Sequence, residues 1–217
     1  MKRKENFKTI QETGVIAILR HIPFMALRQT MNALIKGGVR CVEVTANTAD
    51  ALSMVHFLAQ EYSDQLVIGA GTILDSVTAK AFIQAGAGFL LSPSVHQDVI
   101  EIAREHQVLS IPGAYTPTEI IQGYQWGGDI IKLFPAVTAG VEYIRQIRGP
   151  FANIPLLGVG GITVGNTAEY IKAGCMGVGV GSSLVNPGQV ERGDFDGICQ
   201  QALRFCEEVY KGKENFL

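Results

Sequence analysis

The feature that most constrains the fold is a regular alternation of short apolar runs with helix-like segments. Each run has the length of a strand and is bounded by glycine, proline or polar residues; the runs cover residues 15–20, 41–45, 66–72, 89–93, 108–112, 130–134, 156–162 and 176–181. Continuous apolar strands that alternate with helices indicate a parallel sheet covered on both faces. The chain is therefore predicted to be an α/β protein.

The helical segments separate these strands and also flank them. They are predicted at residues 3–13, 24–36, 49–60, 75–86, 96–106, 117–124, 141–147, 165–173 and 195–210. Eight strand–helix units in about 200 residues predict a (β/α)8 TIM barrel with an extra N-terminal helix. A doubly wound open sheet is the alternative, but no GxGxxG pattern follows the first strand. No Pro- or Ser-rich seam divides the units, so residues 1–217 are predicted to form a single domain.

Composition excludes several classes of protein. Hydrophobic residues make up 47% and charged residues 18% of the 217 residues, which argues against disorder. The formal charge is −2 without a long basic run, so we expect no nucleic-acid partner. The apolar runs are too short for a membrane span and no signal-peptide core follows the basic N-terminus, so no membrane partner and a cytoplasmic location are expected.

Cysteine and histidine spacing gives no sign of a metal site. The four cysteines form no CxxC pair, and Cys41 and Cys175 lie in apolar segments, where buried thiols are expected. The four histidines show no ligand spacing. We therefore predict neither a metal nor a cofactor.

Lys132 lies in the middle of the sixth apolar run, between Ile131 and Leu133. Removing an ammonium ion from water is costly, so burial favours the neutral amine and lowers its pKa. A neutral, desolvated lysine is a nucleophile that can form a Schiff base with a carbonyl compound. The alternative is a lysine whose stem is buried while its ammonium group reaches water or a carboxylate.

Polar residues cluster where the predicted strands end, which is where barrel enzymes carry their active sites. Glu43 lies between two valines in the second strand and shares a face with Thr45, as Lys132 shares a face with Phe134. If both faces point inward, Glu43 and Lys132 meet across the barrel mouth. A carboxylate there either shuttles protons or forms a structural ion pair with Lys132 or Arg20.

Two glycine-rich loops follow the seventh and eighth strands, at residues 158–161 and 177–183. In barrels, loops at these positions bind phosphate through backbone N–H groups, and Ser182 adds a hydroxyl donor. Alternatively, the glycines only allow helices to pack closely. Arg20, at the end of the first strand, can hold a carboxylate or phosphate, or form a salt bridge at the rim.

The chain resembles the 2-keto-3-deoxy-6-phosphogluconate / 4-hydroxy-2-oxoglutarate aldolase family, the small class I aldolases. The resemblance runs from Val15 to Val185 and rests on motifs that are each weak but together specific. These are GGV at 37–39 with VEVT at 42–45, GAGT at 69–72, SP at 92–93, IPG at 111–113, KLFP at 132–135 and GGI at 160–162.

The resemblance implies a role for each motif residue. Lys132 would form the Schiff base and Glu43 would be the general acid/base. Thr72 would lie near the pyruvate carboxylate, with Pro93 and Phe134 forming an apolar wall. The remaining substrate-binding positions it implies, including the phosphate site, are Arg20, Thr45, Asn47, Val159, Gly160, Gly161, Gly181 and Ser182. It also implies a homotrimer and a place in carbohydrate metabolism of the Entner–Doudoroff type.

Two departures concern the substrate. The gluconate-specific branch has an arginine where this chain has Asn47, and Pro-Thr where it has Gly158-Val159. Both changes resemble the branch that acts on the galactonate epimer. The expected reaction is reversible cleavage of either 6-phosphorylated epimer to pyruvate and glyceraldehyde 3-phosphate, with 4-hydroxy-2-oxoglutarate as a further possible substrate. The alternatives are a phosphate-binding barrel isomerase or epimerase and a non-catalytic sugar-phosphate-binding barrel.

Overall fold

Helices and strands alternate throughout the computed structural model, which describes residues 2–214. The strands are β1 Val15–Leu19, β2 Cys41–Thr45, β3 Val67–Gly71, β4 Phe89–Leu91, β5 Leu109–Ile111, β6 Gly113–Ala114, β7 Ile131–Leu133, β8 Leu156–Val159 and β9 Gly177–Val180. The helices are α1 Lys2–Thr13, α2 Leu27–Lys36, α3 Ala51–Glu61, α4 Ser76–Gln84, α5 Gln97–Glu105, α6 Pro117–Gln125, α7 Ala136–Arg148, α8 Val164–Lys172, α9 Pro187–Glu191 and α10 Phe195–Lys213. None of these helices is long and apolar enough to cross a membrane.

The strands form one parallel sheet that curls into a nearly closed barrel. Its order is β5-β4-β3-β2-β1-β9-β8-β7-β6, and every pairing is parallel. The two strands at the ends of this order, β5 and β6, are separated in the chain by Pro112 alone. Pro112 still takes part in the sheet, because its carbonyl accepts a hydrogen bond of 2.9 Å from the Lys132 N–H.

Side chains alternate between the inside of the barrel and the layer of helices around it. On β1, Ile16 and Ile18 belong to an inner cluster of strand residues, whereas Val15, Ala17 and Leu19 pack with the helices. The same alternation on β7 and its flanks places Ile130, Lys132 and Phe134 on the inner side. The predicted shared, inward face of Lys132 and Phe134 is therefore confirmed.

Helix α1 closes the barrel at the amino-terminal ends of the strands. Its Ile10 is fully buried in the inner cluster, with Phe7 packed against it. Arg3 forms an ion pair with Asp129 at 2.7 Å, and the other carboxylate oxygen of Asp129 accepts a hydrogen bond from the Ser110 N–H. The carboxyl-terminal end of the barrel is thus the end that remains open.

Three local features differ from the sequence prediction. The fifth predicted strand, residues 108–112, is interrupted because proline cannot donate a ladder hydrogen bond, and pairing resumes one residue later as β6. The helix predicted at 141–147 begins earlier, at Ala136, and Gly140 breaks its regularity with φ 77°. The short α9 was not predicted; it follows Asn186, whose side chain caps its first turn.

Candidate active site

A cavity of about 650 Å³ opens at the carboxyl ends of the strands. Eleven of the thirteen predicted site residues line it, and they are Arg20, Glu43, Thr72, Pro93, Lys132, Phe134, Val159, Gly160, Gly161, Gly181 and Ser182. They come from seven different strands or the loops that follow them. The parallel barrel therefore brings residues that are far apart in the sequence to one surface, as barrel active sites require.

Lys132 projects from β7 into this cavity and is only 7% exposed. Its Nζ lies 4.4 Å from the centroid of the Phe134 ring, a cation–π distance. Burial lowers the pKa of Lys132; the negative charge of Glu43 opposes that shift, and the positive charge of Arg20 adds to it. The lowered pKa increases the fraction of neutral amine, the form that a nucleophile requires.

Glu43 projects from β2 and is 2% exposed. Burial raises its pKa to about 6, although Lys132 and Arg20 both act to lower it. Its Oε2 has no hydrogen-bond partner among the described residues, which is costly for a buried carboxylate oxygen. A carboxyl group with a pKa near neutrality and one free oxygen is suited to accepting and returning a proton.

Gly71 provides the space that the Glu43 carboxyl group occupies. A Cβ atom at position 71 would lie 1.5 Å from Glu43 Oε1 and 2.3 Å from its Cδ, which no small adjustment could relieve. Gly71 is the last residue of β3 and pairs with Thr45 across the sheet. The glycine of the GAGT motif is therefore explained by close approach of a side chain from the neighbouring strand.

Donor-rich loops surround the other side of the cavity. Gly160 and Gly161 follow β8 with φ of 94° and 75°, a conformation that turns the backbone sharply and that glycine adopts without strain. Gly181, Ser182 and Ser183 follow the neighbouring strand β9 and line the same cavity. This arrangement of small residues and hydroxyl groups fits the predicted anion site.

Thr45 and Asn47, the other two predicted site residues, do not line the cavity. Thr45 is fully buried, and its hydroxyl lies 2.9 Å from the Thr48 hydroxyl and 3.4 Å from the Leu19 carbonyl oxygen. Thr45 is the last residue of β2, and these contacts engage its hydroxyl within the protein. Asn47 accepts a hydrogen bond of 3.4 Å from Arg20 at the rim.

Seven cavity residues were not among the predicted site residues: Ile18, His21, Ile162, Gly179, Ser183, Val185 and Pro187. Ile18 and Gly179 could have been found from strand alternation, since each lies two residues before a predicted site residue. Val185 and Pro187 lie just before and at the start of α9, which was not predicted. His21 adjoins Arg20, but the histidines were considered only for metal-ligand spacing.

No group of three or more His, Cys, Asp or Glu residues within residues 2–214 could hold a metal ion. Burial raises the pKa of both the Cys41 and the Cys175 thiol to about 12, as expected for inert core cysteines. The ionisable groups that line the cavity are therefore few: Lys132, Glu43, Arg20 and His21.

Comparison with known proteins places this geometry in a family. The family model of the KDPG and KHG aldolases matches residues 7–201. The chain belongs to this family. It is 34% identical over 194 residues to the 2-dehydro-3-deoxy-6-phosphogalactonate aldolase of Escherichia coli K12, a match that covers 88% of this chain and 92% of that protein.

Solved structures of family members have the same fold. The native KDPGal structure superimposes with a TM-score of 0.86 at 32% identity, covering 92% of this chain and 96% of that one. A KDPG aldolase of Legionella pneumophila, with pyruvate captured as a covalent carbinolamine intermediate, gives a TM-score of 0.84 at 25% identity and covers 90% and 95% of the two chains.

The raised pKa of Glu43 predicts a specific dependence of stability on pH. Its folded-state pKa of about 6 exceeds the reference value of 4.5, so the folded state holds this proton more tightly. That stabilisation is complete below pH 4.5 and is lost as the pH rises through about 6. Relative to Glu43→Gln, which does not titrate, the wild-type free energy of unfolding should fall by about 2 kcal/mol over this range.

Urea unfolding of both proteins at a series of pH values measures this difference. The same comparison of Glu43 with Glu43→Gln is then made in a Lys132→Met background, which removes a charge that lowers the Glu43 pKa. The pH-dependent difference in the free energy of unfolding should become larger there and extend to higher pH. A difference between wild type and Glu43→Gln that stays constant with pH would contradict a buried carboxyl group with a raised pKa.

Proposed function

We propose that this protein is a class I aldolase. It reversibly cleaves 2-keto-3-deoxy-6-phosphogluconate, its galactonate epimer, or both, to pyruvate and glyceraldehyde 3-phosphate. The observation that carries this proposal is the pairing of a buried lysine of lowered pKa with a buried glutamate of raised pKa, in one cavity at the carboxyl ends of the barrel strands. The names of the relatives in the same family support the substrate class.

In this mechanism the neutral amine of Lys132 attacks the C2 carbonyl carbon of the 2-keto acid. The resulting carbinolamine takes up a proton and loses water, which leaves a protonated Schiff base with a positive charge on nitrogen. The Phe134 ring, 4.4 Å from Nζ, supports that charge with its π face. The same ring and Pro93 form an apolar wall that limits access of water to the intermediate.

Glu43 moves the protons. Its carboxylate accepts the proton of the C4 hydroxyl group while the C3–C4 bond breaks, and the bonding electrons pass to the iminium nitrogen to give an enamine. The aldehyde then departs. Protonation of the enamine at C3 restores a Schiff base, which water hydrolyses to release pyruvate and regenerate Lys132. A pKa of about 6 lets one carboxyl group serve in both directions.

The rest of the cavity would hold the two ends of the substrate. We place the pyruvate carboxylate near Thr72 and the phosphate among the N–H and O–H donors of Gly160, Gly161, Gly181 and Ser182. Arg20 supplies a positive charge between the catalytic pair and these loops. Asn47 binds Arg20 at the rim and would act by orienting it.

Two other functions explain the same cavity less well. An isomerase or epimerase would use Lys132 as an electrostatic group, for which a charged lysine is preferable to one whose pKa is lowered by burial. A non-catalytic binding protein would have no need of a buried carboxylate oxygen that lacks a partner. Cleavage of 4-hydroxy-2-oxoglutarate to pyruvate and glyoxylate is compatible with the aldolase mechanism, because it needs the same Schiff base.

We also propose the finer features of architecture. β5 and β6 would be two halves of one strand of a (β/α)8 barrel, residues 1–217 would form a single domain with α1 as its extra N-terminal helix, and the protein would be a cytoplasmic homotrimer. Phe24, Met25 and Leu52 form an exposed apolar surface suited to contact between subunits; Met25 is 89% exposed. Such a surface on a protein of this size is typical of an interface.

Borohydride reduction in the presence of pyruvate tests the aldolase directly. Reduction converts a Schiff base to a stable secondary amine, so the intact protein should gain one pyruvyl adduct, and peptide mapping should place it on Lys132. An isomerase or a simple binding protein has no reason to form it. Absence of the adduct, under conditions that trap a known class I aldolase, would contradict the proposal.

Two variants and one control separate the role of the nucleophile from that of the general acid/base in that experiment. Lys132→Met should form no adduct, whereas Lys172→Met, on the outer helix α8, should form it as the wild type does. Glu43→Gln retains the nucleophile, so its adduct should still appear, but cleavage should slow roughly 10²–10⁴-fold, as for removal of a general acid/base. Near-normal turnover in Glu43→Gln would assign the carboxylate a structural role only.

The choice between C4 epimers is predicted to depend on Val159. Its side chain lines the cavity at the end of β8 and is almost fully buried, so it presents methyl groups where a threonine would present a hydroxyl. Loss of one hydrogen bond to a substrate hydroxyl costs about 1–3 kcal/mol, or roughly ten- to a hundredfold in preference. We therefore expect a preference for the galactonate epimer or dual specificity.

Steady-state assays of wild type and Val159→Thr on both phosphorylated epimers measure that preference. Val159→Thr should shift the kcat/KM ratio towards the gluconate epimer, while Val159→Ile keeps the site apolar and should not. A strong gluconate preference in the wild type, unchanged by Val159→Thr, would exclude this residue as the determinant.

A further inference from the structure

His21 holds an uncommon backbone conformation at the rim of the cavity. It follows Arg20 at the end of β1, lines the cavity, and has φ +56°. The left-handed region is sparsely occupied by residues other than glycine, although histidine tolerates it better than most. Non-glycine residues held there cluster at functional sites, where the surrounding structure fixes them.

A chain of buried hydroxyl groups holds the backbone of His21 in place. The His21 N–H donates to Thr48 Oγ1 at 3.1 Å, Thr48 Oγ1 lies 2.9 Å from Thr45 Oγ1, and Thr45 Oγ1 donates to the Leu19 carbonyl oxygen at 3.4 Å. Each hydroxyl can donate to the next acceptor, so every group in the chain is satisfied. Thr45, which does not reach the cavity, thus acts together with Thr48 to position a residue that does.

His21 lies on the donor-rich side of the cavity. β1 pairs with β9, and β9 pairs with β8, so the end of β1 adjoins the loops that contain Ser182, Ser183 and Gly161. Arg20, the neighbour of His21, forms no ion pair with any described residue and uses one hydrogen bond, to Asn47. Glu43 is the one carboxylate among the described residues that line the cavity.

We propose that His21 is a specificity-determining residue that binds the substrate's phosphate group and favours phosphorylated over unphosphorylated aldehydes. The inference rests on the proposed aldolase function and deepens it. The imidazole of His21 adds a hydrogen-bond donor for an anion to the cavity that Arg20 also lines. The buried threonine pair holds the His21 backbone in place before the substrate arrives, which reduces the cost of ordering this residue on binding.

His21→Gly is the informative variant, because glycine adopts positive φ without strain and only the imidazole is lost. The matched control is Gln107→Gly. Gln107 has φ +57° and is exposed, but it lies between α5 and β5, at the opposite end of the barrel. Both substitutions thus relieve the same backbone conformation, and only one removes a side chain from the cavity.

The measurement is condensation of pyruvate with glyceraldehyde 3-phosphate and with glyceraldehyde. His21→Gly should lower the ratio of kcat/KM for the phosphorylated to the unphosphorylated aldehyde by roughly 5- to 50-fold, the range for one hydrogen bond to a charged group at a partly open site. His21→Asn, which keeps a side-chain N–H donor, should recover part of the ratio, and Gln107→Gly should leave it unchanged. An unchanged ratio in His21→Gly would overturn the inference.

Calorimetric titration with 3-phosphoglycerate separates this inference from the aldolase proposal, since it needs no turnover. The Kd should rise by a similar factor in His21→Gly and not in Gln107→Gly. If neither aldehyde is condensed but the Kd depends on His21 in this way, the aldolase proposal fails and the phosphate contact stands. An equal Kd in wild type and His21→Gly would overturn the role of His21 whatever the activity.

Discussion

The site depends on the cost of removing one ammonium group from water. Lys132 is held on β7, inside a barrel whose inward side chains are mostly apolar, and its side-chain amine makes no hydrogen bond with another described residue. Burial therefore lowers its pKa, and the negative charge of Glu43, which lies four strands away around the sheet in the same cavity, partly opposes that shift. Burial shifts each group towards its neutral form, and the charge of the other group opposes that shift.

The barrel is the means by which this arrangement is maintained. Inner residues such as Phe89 and Leu91 fill the barrel with apolar side chains, and Ile10 of α1 is buried among them at the opposite end. Gly71 has no side chain, and this leaves the space in which the Glu43 carboxyl group fits against β3. The polarity of the cavity is confined to the strand ends and loops, where water and substrate can enter.

The proposed catalytic pair was predictable from local patterns because alternation along a strand determines which side chains share a face. Lys132 and Glu43 are polar residues inside apolar runs, and that contrast is visible without a structure. Thr45 follows the same alternation, but it ends β2 and its hydroxyl binds Thr48 instead of lining the cavity. Alternation predicts which residues share a face, but not which polar groups are taken up by neighbouring side chains.

Features set by tertiary contact could not be predicted from the sequence. The point at which the fifth strand is interrupted depends on its neighbours, because β5 pairs with β4 before Pro112 and β6 pairs with β7 after it. The position of α9 depends on how the segment after β9 packs. The role of Gly71 depends on a side chain from another strand. The backbone of His21 is held by Thr48, which is 27 residues away in the sequence. Each of these requires knowledge of which distant residues meet.

The central claim is that Lys132 is unusually acidic for a lysine, and NMR titration of the lysine side chains in the unliganded protein tests it most directly. With isotope-labelled lysine, and Lys132→Arg to assign its signal, Lys132 should titrate below the reference value of 10.5. It should titrate lower still in Glu43→Gln, because the carboxylate that favours the ammonium form is gone. A Lys132 signal that titrates together with the exposed lysines, and is unaffected by Glu43→Gln, would contradict the account.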